Sequence, residues 1–192
     1  MRHANRSSLL SCGPAAALAA LAALAGLGGL ASADTAPAEV VSSRWQHHQV
    51  KFDYQGFTTA YTCDGLENHV RQILQLLGAR KDLSVSAAGC PGPFDTPSHT
   101  AWVRADFYSL APAVDANEPD TVRGHWTAVA VTPARPDFMG DGDCELIQEM
   151  KSLITGNFTL RDVQYRTDCY PHQITLNGFS ITGQALRPLP HG

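Results

Sequence analysis

Two stretches of the chain carry apolar residues on one helical face. Leu66, Val70, Ile73, Leu74 and Leu77 form the first, and Leu146, Ile147, Met150, Leu153 and Ile154 the second. Residues spaced three and four apart share one side of a helix, so each stretch predicts an amphipathic helix with a buried stripe. Asp64 stands as N-cap of the first helix, with Glu67 three residues on as in a capping box. Gly78 closes it in the C′ role. Asp143 precedes the second helix and Gly156 stops it.

Other segments alternate instead. Val50, Phe52 and Tyr54 share one face of a strand over 49–54. "QGFTTAYTC" follows as a second strand or a bulged continuation, since Gly56 interrupts it. Strands are also expected over 83–87, over 101–110 with Val103, Ala105 and Phe107 inward, over 125–132, over 160–169 and within 173–186. "PGPFDTPSHT" and "ARPDFMGDGD" read as loops, and residues 111–124 as the linker between two halves.

The halves, 45–110 and 125–186, follow one plan. Trp45 precedes Cys63 by the same interval as Trp126 precedes Cys144. Each cysteine sits at a helix start, and a strand, a second cysteine and another strand follow. A rare residue pair recurring with the element order suggests an internal duplication. The expected fold is α+β: two similar βαββ-like halves related by a pseudo-twofold, an antiparallel or mixed sheet and two helices. Four cysteines allow three pairings. The repeat selects Cys63–Cys90 and Cys144–Cys169, each tying a helix start to the end of the next strand.

Those cysteines matter because of the N-terminus. Arg2 and Arg6, an Ala- and Leu-rich run ending at Leu30, and "ASA" at 31–33 have the layout of a secretory signal peptide. Residues 1–33 are expected to be removed, leaving a flexible lead-in over 34–44, the two halves, and a loose tail over 187–192. An exported chain oxidises its paired cysteines. The expected location is periplasmic or extracellular. Without residues 1–33, 12 of the 14 basic and all 18 acidic residues remain, a net charge of −6. An acidic chain without a basic cluster is a poor partner for nucleic acid or an anionic membrane, and no second apolar run could span a bilayer.

Motifs for chemistry are missing. No C-x-x-C, H-E-x-x-H, G-x-S-x-G or phosphate-binding glycine loop is present. Asp137, Asp141, Asp143 and Glu145 lie in a glycine-containing loop but do not follow the calcium-loop spacing. No cofactor or metal is expected, and the reading leans away from an enzyme. The densest recognition chemistry is "WQHHQVKFDYQGFTTAYTC", whose Trp45, His48, Tyr54, Phe57 and Tyr61 are the candidate binding residues. The leading expectation is a non-enzymatic binding module contacting a protein or another component of the cell envelope. The alternatives are a metal or small-ligand carrier using His47 or His48 with His69 or His125, and a hydrolase-like enzyme without a motif.

Overall fold

The computed structural model describes residues 39–90, 96–115 and 120–190. The expected signal peptide and residues 34–38 of the lead-in lie outside the described residues. Six strands form one sheet: β1 (Val40–Gln55), β2 (Ser84–Ala88), β3 (Thr100–Pro112), β4 (Val122–Val131), β5 (Leu160–Thr167) and β6 (Phe179–Pro188). The order is β2-β3-β1-β4-β6-β5, and every neighbouring pair is antiparallel. Reading outward from the centre, β1-β3-β2 in the first half is matched by β4-β6-β5 in the second. Both expected disulfides are present, Cys63–Cys90 and Cys144–Cys169.

Helices α1 (Cys63–Leu76), α2 (Cys144–Glu149) and α3 (Lys151–Asn157) complete the fold, with a 3-10 turn at Asp141–Asp143. One continuous core joins the halves. It gathers Leu66, Val70, Ile73 and Leu74 of α1, Leu146 and Ile147 of α2, and Leu153 and Ile154 of α3. Val103 and Phe107 of β3, Val129 and Val131 of β4, and Ile181 of β6 meet them. These are the stripes and alternations of the sequence, and burying them drives the assembly.

Several boundaries differ from expectation. β1 starts at Val40, inside the expected lead-in, because Val40–Ser43 pair with Val122–His125 of β4. That short ladder is the seam between the halves. Gly124 makes it possible: a Cβ there would lie 2.6 Å from Ser43 Oγ and 3.0 Å from Leu186 Cδ1. β6 runs to Pro188, into the expected tail, and starts only at Phe179, so residues 173–178 are loop.

Residues 56–62 are loop as well, apart from a single bridge from Tyr61 to Ser98. The second helical stretch breaks at Met150 into α2 and α3, and Gly156 lies inside α3.

The caps also move. Thr62, not Asp64, caps α1 by accepting from the Gly65 amide. Glu67 instead accepts from the Ala87 amide on the outer edge of β2 at 2.8 Å, satisfying an edge donor that would otherwise face solvent. Gly78 does take the C′ position, at φ 102°.

A further correspondence emerges from packing. Arg80 lies over the Trp45 ring at 5.5 Å, and Arg161 over the Trp126 ring at 4.3 Å. Each arginine follows its tryptophan by the same 35 positions. The recurrence is one of topology and of these few side chains, and duplication of the chain is not established by it.

Candidate functional site

Tyr54 and Tyr61, two of the candidate binding residues, are buried. Their rings meet edge to face at 5.2 Å. Tyr54 donates to the Thr59 carbonyl at 2.6 Å, and Tyr61 donates to Asp143. Burial first, and then the neighbouring Asp143 and Glu145 carboxylates, push both phenols far above their ordinary range. They are held as neutral donors.

Asp143 accepts from the Gly140 amide at 2.7 Å and lies 3.7 Å from His69 Nε2. Glu145 accepts from the Thr58 amide and hydroxyl. These buried carboxylates clamp the loop after β1 to the start of α2. Asp143 therefore makes no side-chain cap to α2.

The histidines lie apart. His47 and His48 pair across to Tyr108 and Phe107, on opposite faces of β1. His47 Nε2 contacts Asp106 at 2.8 Å, and His48 Nε2 contacts Ser109 at 2.9 Å. His69 packs against Tyr61 and Phe138. His125 contacts Thr127. Among the described residues no group of three or more His, Cys, Asp or Glu side chains could hold a metal ion. No helix among them is long and apolar enough to cross a membrane.

Phe57 is different. It is 54% exposed, and its ring meets His172 at 5.6 Å. His172 belongs to the loop between β5 and β6, which leaves Cys169 and returns at Gly178. Tyr170, Ile174 and Leu176 on that loop are 61%, 66% and 76% exposed. An isolated exposed apolar side chain is ordinary; four on two adjoining loops are a surface feature.

The loop is braced throughout. Cys169 is bonded to Cys144 at its start. The Gln173 amide donates to the Tyr170 carbonyl, and the Gly178 amide to Thr175. His172 and Asn177 take positive φ, at 63° and 53°, to make the two turns. Asp141 accepts from the Asn177 amide at 2.7 Å, and Arg166 donates to the Asn177 carbonyl. Thr59 donates to the Gly142 carbonyl beside Asp141, which sets the Phe57 loop against the same base.

Of the sequence candidates, then, Phe57 lies on this surface. Tyr54 and Tyr61 support it from below. Trp45 and His48 belong elsewhere, Trp45 under Arg80 and His48 against Phe107. The sequence expectation of a strand or hairpin over 173–186 did not separate residues 173–178, which are loop, from β6. The signals that could have found the loop were Pro171 and the Asn177–Gly178 pair, which punctuate that run.

The class so defined is an antiparallel α+β protein stapled by two disulfides, with a braced apolar loop. No protein-family model matches the chain, and no curated protein or solved structure matches it either.

Proposed function

We propose that the chain is an exported binding module whose Tyr170–Asn177 loop, with Phe57, inserts into a concave apolar pocket of a protein partner. The observation carrying this reading is the combination of exposure with bracing. A loop fixed by a disulfide, two internal turns and two side-chain bonds loses little conformational freedom on binding. Its apolar side chains are thus presented rather than merely left in water. On this reading residues 1–33 direct export and are removed, the partner is a protein of the periplasm or extracellular space, and the halves are copies of one βαββ unit. The shared Trp, Cys and Arg positions support the last point.

The test is site-specific photo-crosslinking from position 176 in the producing organism, beside a control at Val163, which is exposed on β5. A discrete adduct from position 176, absent from position 163 and lost when Ile174→Asp is added, is expected. Equal adducts from both positions, or an adduct that consists of a second copy of this chain, would remove the reading.

A further inference from the structure

The geometry points to a second, separate site: a groove at the end of α1 that binds a small carboxylate carrying an apolar body. The groove has a volume of about 1210 Å³, ample for a drug-sized molecule. Trp45, Ala79, Pro188 and Pro190 form apolar wall. Arg80, Lys81, His125 and Arg187 supply cationic or donor groups, and among the described residues no acidic one lines it. In a chain of net charge −4 that concentration stands out.

Arg80 is held by Asp82 through two hydrogen bonds of 2.8 and 2.7 Å, which neutralise much of its charge. Lys81 and Arg187 have no ion pair among the described residues. Cations just beyond α1 also complement its dipole, which would account for Arg80 and Lys81 alone. It does not account for Arg187 on β6 or His125 on β4, which reach the groove from other elements. The Ile73, Leu74 and Gln75 carbonyls of α1 are taken by the amides of Leu77, Ala79 and Gly78.

His125, on β4, also lines the groove. Its Nε2 contacts Thr127 Oγ1 at 2.9 Å, while its Nδ1 is buried with no partner. A buried ring nitrogen without a partner is costly. A carboxylate in the groove can accept from the Arg187 guanidinium and from the Lys81 ammonium. A phosphate would bring a second charge, but the mainly apolar wall suits one charged end on a hydrophobic stem.

Such a carboxylate could come from a free organic acid or from the C-terminus of a peptide. The mature full chain is therefore titrated calorimetrically with four probes: phenylacetate, phenylacetamide, acetyl-Ala-Ala-Phe and its C-terminal amide. Saturable binding of at least one carboxylate tighter than about 1 mM is expected, with its amide at least ~10-fold weaker, as befits loss of a charge-assisted bond. Preference for phenylacetate names the free acid as the source, and preference for the peptide names the chain terminus.

Arg187→Gln and, on another element, Lys81→Gln should each weaken the preferred carboxylate, Arg187→Gln by ~10-fold or more. Unchanged thermal melting establishes that each variant is folded. If neither carboxylate saturates, if the amides bind as well, or if both variants bind like the parent, the inference is wrong. The crosslinking at position 176 is unaffected by any of these results.

Discussion

Tyr61→Phe removes one hydroxyl and leaves the ring contacts with Tyr54 and His69 in place. That hydroxyl donates to Asp143, a buried carboxylate. After the substitution Asp143 retains the Gly140 amide, with His69 Nε2 still 3.7 Å away. A hydrogen bond to a charged group contributes about 1.5–3 kcal/mol, and a buried carboxylate that loses one of its two close donors sits at the upper part of that range. Tyr54→Phe is the internal standard. It removes a bond to a neutral carbonyl, that of Thr59, worth about 0.5–1.5 kcal/mol. Urea unfolding of the oxidised chain reads both changes, and a loss of 2 kcal/mol should lower the thermal midpoint by about 4–8 °C. In a double-mutant cycle, Tyr61→Phe and Asp143→Asn should be coupled by more than about 1 kcal/mol. If Tyr54→Phe costs as much as Tyr61→Phe, or if the cycle closes without coupling, the claim that this pair clamps the halves is refuted.

Three further outcomes follow from the same structure. The disulfides close loops of 27 and 25 residues. Replacing either pair with serine should cost about 3.5 kcal/mol on the chain-entropy model, and calorimetry showing under ~1 kcal/mol for both would contradict it. Burial lowers the pKa of His48 below 6.5, against an Asn157 hydrogen bond that raises it and with the neighbouring His47 adding to the lowering. A depressed folded value means stability present above pH 6.5 and lost as pH falls through the folded value, so His48→Gln should flatten the stability–pH curve below 6.5; an unchanged slope there tells against it. Gly124→Ala should destabilise by about 1–3 kcal/mol through overpacking against Ser43 and Leu186, with Ser43→Ala in the same chain recovering part of the loss in an unfolding titration.

The core was legible because its periods are clean. The stripes of α1 and of α2 with α3, and the alternation at Val103, Ala105 and Phe107, are buried as those periods require. The cysteine pairing followed from the recurrence of Trp and Cys. Less was visible where a side chain answers to a distant backbone. Nothing local says that Thr62 outcompetes Asp64 as cap, or that Glu67 is drawn off by the Ala87 amide of β2. Val40–Ser43 are too few to alternate convincingly, and pairing with β4 draws them into the sheet. Tyr54 and Tyr61 illustrate the limit for the candidate site: an aromatic with a polar tip looks the same in sequence whether that tip meets a partner or a buried carboxylate.

The two Trp–Arg pairs argue where binding is most readily accommodated. Arg161, over Trp126, has all three guanidinium nitrogens bonded: to Gln184 at 3.1 and 2.9 Å and to Glu39 at 2.7 Å. The same device in the first half is less closed. Arg80 is held by Asp82, two residues away, and by the faces of Trp45 and Tyr108. Its partner is exposed, so the pair contributes little to stability. Beside it lie Lys81 and Arg187 and the open groove. One arginine therefore spends its donors on the fold, while the other stands at the rim of a cavity with its charge half answered. If the groove binds a carboxylate, the second half serves as the closed reference for the first, and Arg161→Gln should lower stability while leaving that binding unchanged.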